Sequence, residues 1–222
     1  FNVTSSRNLI LMGEKYKIKN FIFTSTFSIY EKDYIKPILE NETPSAKNSY
    51  GKSKYKVETI LKKSKLKNYT ILRVPIVVGK SRSHRMGILF EMIRNNLPLF
   101  LIGDGNNKIQ FIEVDDLCLI IKKCLGLKRN NTFNVGTKKS FTFKENLSHI
   151  IEKSKSKSKI FNVNYYFGNF ALDILIFFKL VDLNYYHKAL LTKNIVLNTK
   201  KIFNTFKLGF DKSSKDILLE NY

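Results

Sequence analysis

Two cysteines, Cys118 and Cys124, are all that the sequence contains. That is too few for a disulfide scaffold or a four-cysteine zinc site. Their six-residue spacing on an expected helix places them poorly for pairing, and both read as small core residues in a reducing compartment. No apolar run reaches the ~18 residues needed to cross a bilayer, so no membrane span is expected. No basic start leads into a short apolar core, as it does in a secretory signal. The histidines, His84, His149 and His187, are scattered without ligand spacing, and no metal site is expected. Acids are also scarce: 18 Asp and Glu stand against 39 Lys and Arg, a net charge of +21.

That charge invites a nucleic-acid partner, but only 6 of the basic residues are Arg. Arg is the side chain that grips phosphates and bases bidentately. Lys, Asn, Ile and Phe share A/T-rich codons, so a biased genome accounts for the lysine excess and no nucleic acid is expected. The densest basic run, K-S-K-S-K-S-K at 153–159, reads as a solvated end or loop after a helix. A small anionic ligand also suits a basic protein. With 222 residues, 43% hydrophobic and 26% charged, the chain is expected to be globular with one or two domains.

Periodicity then divides the chain. Residues 8–16 read as the end of a helix. F-I-F-T-S-T at 21–26 is an apolar run that turns polar, like a buried parallel strand where it meets a site. A long loop over 31–49 leads to a helix from Ser49 that buries Val57, Ile60 and Leu61. A second buried strand spans 71–78, interrupted by Pro75. A helix over 86–95 buries Ile88, Leu89, Met92 and Ile93. G-D-G-N-N at 103–107 is a turn. A short strand at 110–114 runs into Asp115 and Asp116, read as a cap for a helix over 117–127. A strand follows at 132–136, then a T-x-x-E capping box at Thr142 and Glu145. The most apolar stretch, 167–181, is expected to be a packed helix. Strands alternate with helices, so the class is α/β with a largely parallel sheet.

Tyr50 and Lys54 in S-Y-G-K-S-K are the chemical candidates. Positions i and i+4 share a helix face, and an ammonium there lowers the phenol pKa from about 10, making Tyr50 a general base. About 1.6 such Y-x-x-x-K pairs are expected by chance from 11 Tyr and 33 Lys, and one occurs, so the spacing alone is weak. It gains weight from its neighbours. A strand ends in Thr24-Ser25-Thr26 and the next in Arg73-Val74-Pro75, at the sheet edge where open α/β folds bind ligands.

Several segments together resemble the extended short-chain dehydrogenase/reductases, the NAD-dependent epimerase/dehydratase family. They are Asn2-Val3 with Asn8-Leu9, F-I-F-T-S-T-F-S-I-Y (21–30), P-S-A-K-N-S-Y-G-K-S-K (44–54) and L-R-V-P-I-V-V-G (72–79). L-I-G-D-G-N-N-K-I-Q-F-I-E-V-D-D-L (101–117) is the most specific, and F-N-V-G (133–136) and residues 191–210 extend the likeness. The departures are plain. Ser5 replaces a Gly, Ile109 replaces a substrate-phosphate Arg with Lys108 one residue before it, and Glu113 stands where a His is common. The G-x-x-G-x-x-G loop that holds the NAD pyrophosphate is missing.

The resemblance implies a Rossmann-type parallel sheet, of which residues 1–79 form the C-terminal part. A smaller mixed α/β substrate lobe spans 80–222, with a returning strand near 132–137. It implies NAD, or alternatively NADP, with Tyr50, Lys54 and Pro75 at the cofactor. Thr26, Tyr50 and Lys54 become the catalytic set, with Thr26 and Lys108 touching a nucleotide-sugar substrate. The absence of an Asp-Glu pair after Thr26 favours an epimerase or 4-keto reductase over a dehydratase. Alternatives are a reductase of a non-sugar alcohol such as a sterol, and a non-catalytic basic nucleic-acid-binding module. A cytoplasmic location and a homodimer through the Tyr50 helix are further expectations by analogy. The chain does not begin with Met, and an upstream extension of about 90–110 residues, the size of a mononucleotide-binding half, is expected.

Overall fold

The computed structural model describes residues 2–79, 84–178, 188 and 191–222. Strands β1 (Phe21–Thr26), β2 (Tyr69–Val74) and β6 (Asn131–Asn134) form a parallel sheet in the order β1-β2-β6. Phe21 pairs with Tyr69 and Thr26 with Val74, so β1 and β2 end level. The central strand is buried on both faces, with apolar Ile71, Leu72 and Val74 and the buried polar Thr70 and Arg73. Ile71 packs on one side with Ile10, Phe23, Val57, Leu61 and Leu66, under helices α1 (Asn2–Lys15) and α2 (Ser49–Lys62). Leu72 and Val74 pack on the other with Phe133, Ile120, Ile202 and Phe203, under α4 (Val114–Cys124) and α7 (Lys200–Phe206).

Pro75 has no amide hydrogen to give a ladder, and the chain leaves the first sheet there. β3 (Ile76–Val78) pairs in parallel with β5 (Phe111–Glu113) instead. A third parallel pair joins β4 (Leu99–Ile102) to β7 (Ile160–Val163). Their core holds Val78, Phe90, Ile93, Leu101, Phe111 and Leu147, roofed by α3 (His84–Arg94), α5 (Phe143–Lys153) and α8 (Ser214–Glu220). α6 (Tyr165–Phe177) lies against β4 and β7, where Gly168 meets Ile102 and Val163.

Several expectations shift. α1 runs from Asn2 to Lys15, so the segment read as a helix end does close a helix, with Val3 packed on the Ile10 cluster. In α3 the buried residues are Phe90 and Ile93, while Ile88 is 65% exposed; Met86, Leu89 and Met92 only border the core. α4 starts at Val114, with Glu113 at the cap making no side-chain cap bond. Asp115 and Asp116 therefore sit inside the first turn, where they complement the positive end of the helix dipole rather than capping it. Cys118 is exposed and only Cys124 is buried. The capping box at Thr142 and Glu145 forms in both directions. The turn at 103–107 uses Gly103 and Gly105 at φ +74 and +71, a region open to glycine at little cost. In the basic run the serines point inward, Ser156 Oγ donating to the Ile93 carbonyl at 2.6 Å, and the lysines point out. Of the apolar stretch at 167–181, residues 179–181 lie outside the described residues, and the helix buries only Gly168 and Leu172.

Candidate active site

The carboxyl ends of β1 and β2 gather the chemically competent residues. β1 ends at Thr26, which is buried and faces Val74 across the ladder, and Pro75 follows Val74 directly. The chain then tightens into a short 3₁₀ turn (Phe27–Ile29) capped by Thr26, whose Oγ1 accepts from the Ser28 amide at 3.1 Å. The Thr26 and Ser28 hydroxyls share a 2.8 Å hydrogen bond.

That turn docks on the first turn of α2. Asn48 caps the helix by accepting from the Gly51 amide at 2.7 Å. The Asn48 amide group is itself held by Glu31, which accepts from both its backbone and side-chain nitrogens. A Cβ on Gly51 would stand 2.2 Å from the Ser28 carbonyl oxygen, so only glycine allows this approach. Tyr50, next to Gly51 and 42% exposed, is thereby fixed beside the segment that carries Thr26.

Lys54 follows one turn later. Its ammonium donates to the Thr24 carbonyl at 2.9 Å, over the Phe23 ring, and lies 5.9 Å from the Tyr50 ring centroid. Burial holds the Lys54 pKa below the ordinary lysine range, since a half-dry site disfavours the charged form. The opposite face of α2, with Tyr55, Lys56, Thr59 and Ile60, lines a shallow groove against residues 44–46. It presents no cluster of this kind.

Beneath the site lies a charged network that the sequence reading missed. Glu58, one turn beyond Lys54, is fully buried and takes the Arg73 guanidinium in a fork, at 3.1 Å from Nε and 2.8 Å from Nη2. Ser25 Oγ donates to the same carboxylate at 2.6 Å. Arg73 Nη1 reaches the Tyr30 hydroxyl at 2.5 Å and the Glu40 carbonyl at 2.8 Å. Burial alone pulls the Arg73 pKa down, but the Glu58 hydrogen bond and charge outweigh it and raise it overall. The Tyr30 phenol is pushed up, mainly by burial, and is held neutral. Glu40 also accepts from the Asn134 amide at 3.0 Å, tying the loop after β1 to the end of β6. One network thus joins the Tyr50 helix, both strand ends and the neighbouring loop. The signal was present: Tyr50, Lys54 and Glu58 recur every four residues, and a carboxylate between buried Val57 and Leu61 needs a buried cation.

Lys108 lies on the segment leading into β5. It is exposed, its backbone bridges to Thr142, and its amide donates to the Asn194 side chain at 2.9 Å. Its charge is one of the weaker influences that lower the Glu145 pKa, behind hydrogen bonds from Thr142. The neighbouring Ile109 is a core residue, packed with Phe111 and Leu147.

Comparison with known proteins bears on the family and the fold. The profile of the NAD dependent epimerase/dehydratase family matches residues 1–136. An uncharacterised protein of Sinorhizobium fredii, y4nG, is 24% identical over 92% of this chain and 52% of its own length. A UDP-glucose 4-epimerase of Caenorhabditis elegans is 35% identical over 51% of this chain and 34% of its own. The Bordetella bronchiseptica enzyme WbmG, solved in complex with NAD and UDP, superposes with a TM-score of 0.78 at 19% identity, over 99% of this chain and 64% of that one. The chain thus spans about half or less of these curated relatives. It has the Rossmann-type α/β fold of its structural neighbours, and it belongs to the NAD dependent epimerase/dehydratase family.

Proposed function

We propose that this chain supplies the proton-transfer and sugar-binding machinery of an NAD-dependent nucleotide-sugar epimerase. The observation that carries the reading is the convergence of Thr26, Tyr50, Lys54 and Pro75 at one sheet edge, with Lys54 drawn in to the Thr24 carbonyl. The Tyr50 phenolate oxygen takes the proton of the sugar hydroxyl being oxidised and, as the phenol, returns it on reduction. The Lys54 ammonium favours the tyrosinate over the phenol. The Thr26 hydroxyl, held by Ser28, hydrogen-bonds the reacting oxygen. Lys108 neutralises a substrate phosphate as a point charge. The division at residue 79 into a cofactor part and a substrate lobe belongs to this proposal. So do a cytoplasmic location and a homodimer through α2.

The residues fit one end of NAD. Lys54 and Tyr50 would hold the nicotinamide ribose, with Pro75 beside the ring. The bound cofactor would supply reversible hydride acceptance. No G-x-x-G-x-x-G for the pyrophosphate occurs in the sequence, so this chain alone is expected to bind NAD weakly. Phe27 and Ser28 follow Thr26 with no Asp-Glu pair, which favours epimerisation or keto reduction over dehydration.

The test uses the purified protein with NAD supplied in excess. UDP-glucose, the substrate in the name of the nematode relative, comes first, with UDP-galactose as the readout. Tyr50→Phe and Lys54→Met are each expected to lower kcat at least a hundredfold, in the range of lost acid–base catalysis. A 4-keto-6-deoxy sugar as main product would replace epimerase with dehydratase. Turnover of a hydroxysteroid panel, read by NADH absorbance, would replace the substrate class. Steeply salt-dependent RNA or DNA binding that ignores Tyr50→Phe would remove the enzyme reading.

A further inference from the structure

Helix α6 presents the wrong kind of surface to water. Its inner side, at Gly168 and Leu172, packs on the β4–β7 pair, where a Cβ on Gly168 would meet Ile102 at 3.0 Å. An outward helical face normally carries the polar residues. Here it carries Tyr166, Phe167, Phe170, Ile174, Phe177 and Phe178, from 39% to 82% exposed. None of these is charged, and their spacing places them on one side of the helix.

The patch extends onto the sheet. Alternation along a strand puts Phe100 on the same face as Ile102, and Phe161 on the same face as Val163. Those are the two strand residues that Gly168 touches. Phe100 and Phe161 stack with centroids 5.8 Å apart and are 63% and 47% exposed. An exposed apolar area of this extent marks an interaction site.

The rim of the patch selects the partner. Lys155, Lys157 and Lys159 run up to β7 with their side chains in solvent, because Ser156 and Ser158 are turned in toward the end of α3. The Leu99 amide donates to the Lys159 carbonyl at 2.9 Å, which places this run directly beside Phe100. No Asp or Glu occurs from residue 153 to 172. Asp173, at the border, is paired with Lys188 at 2.7 Å. The whole chain carries +21. Exposed aromatic rings bordered by solvated lysines suit the headgroup region of an anionic bilayer, where rings sit at the interface and lysines meet lipid phosphates. No described helix is long and apolar enough to cross a membrane.

We propose that this face seats the protein on the surface of an anionic phospholipid bilayer. The α6 rings enter the boundary between headgroups and acyl chains. Phe100 and Phe161 flank them, and Lys155, Lys157 and Lys159 meet the lipid phosphates. The inference stands on the surface alone and needs neither cofactor nor turnover.

The test is flotation of the full chain with vesicles of phosphatidylcholine alone, and of equal parts phosphatidylcholine and phosphatidylglycerol. Binding is expected to the anionic vesicles and to be weak on the neutral ones. Phe170→Ser with Phe177→Ser is expected to lower partitioning roughly tenfold or more, the cost of keeping two rings in water. Replacing the three lysines by Gln is expected to lower it about fivefold per lysine. These residues are exposed, so the melting temperature should hold. A Phe170→Trp variant gives a second readout in a chain with no native Trp: its emission shifts to the blue on anionic vesicles. Absence of flotation with anionic vesicles overturns the proposal. So does flotation that survives the paired Phe substitution, which leaves charge alone as the cause. An oligomer that the same pair dissolves, without vesicle binding, assigns the face to contacts between copies and overturns it too.

Discussion

Glu58 and Arg73 set the energetic scale at the level of single residues. Both are buried, at 0% and 1% exposure, and the fork between them is completed by Ser25, Tyr30 and the Glu40 carbonyl. Removing one partner of such a pair strands the other charge in a dry site. Glu58→Gln is therefore expected to cost about 3–5 kcal/mol in urea unfolding, and Glu58→Leu with Arg73→Met distinctly less than the two single changes summed. Additive costs would mean that the residues do not act as a pair. Lys54 adds a pH dependence. Its folded pKa is depressed by burial, so the unfolded chain binds the extra proton. Stability then rises with pH through the folded pKa up to the unfolded lysine value of about 10.4 and is lost as pH falls. Unfolding midpoints measured from neutral to alkaline pH should rise for the native chain relative to Lys54→Met, and parallel curves would reject the shift. The cysteines separate by environment: Cys118 is exposed, whereas burial pushes the Cys124 thiol up to about 11. Iodoacetamide at mildly alkaline pH should modify Cys118 alone, because the thiolate is the reactive form. Equal labelling in the folded state would show that the Cys124 pocket opens.

At the scale of elements, the decisive contact is that of the first turn of α2 with the turn after β1. Gly51→Ala places a methyl carbon 2.2 Å from the Ser28 carbonyl oxygen, and backbone on both sides leaves no flexible atom to yield. A destabilisation of about 1–3 kcal/mol is expected. Faster hydrogen exchange should appear in the first turn of α2, leaving α5 unchanged. Unaltered exchange at α2 would mean that the helix can slide on its neighbour. This contact also marks the limit of what the sequence discloses. An apolar run located β1, helical periodicity α2 and a T-x-x-E motif the capping box of α5, because each depends on residues within one or two turns. Periodicity misplaced the buried face of α3, assigning Ile88 to the core in place of Phe90. The packed helix expected at 167–181 packs on one side only, burying Gly168 and Leu172. Burial of a face depends on which distant element covers it, and a run of apolar residues says nothing of that. Thr26, Tyr50, Lys54 and Pro75 were assigned from ordered motifs, and the fold brings them to one sheet edge. The Glu58–Arg73 fork was not legible, because its halves are 15 residues apart and meet only through the βαβ crossover.

At the scale of the whole molecule, charge imbalance is the dominant unresolved stress. Net charge is +21 on 222 residues, and such an excess repels itself most in the compact state. Among the described residues, the exposed ion pairs are few: Arg94 with Glu91, Lys138 with Asp211, and Lys212 with Glu113 and Glu220. Each exposed pair contributes about 0–1 kcal/mol at most. The Lys212 pKa is raised first by its hydrogen bonds to the Glu220 and Glu113 carboxylates, so even this cluster spends one lysine on two acids. Added salt weakens these pairs, but it also weakens a far larger number of lysine–lysine repulsions. Raising NaCl from about 0.1 M to about 1 M shortens the screening length from about 10 Å to about 3 Å. Repulsion across the surface is then removed, while contacts near 3 Å partly survive. The expected outcome is a melting temperature that climbs with salt, steeply at first. Each kcal/mol gained should appear as about 2–4 °C in a chain of this size. Calorimetry in a NaCl series decides the matter. A flat or falling curve would mean that the few ion pairs outweigh the lysine field, and that the basic excess is already spread too widely to strain the fold.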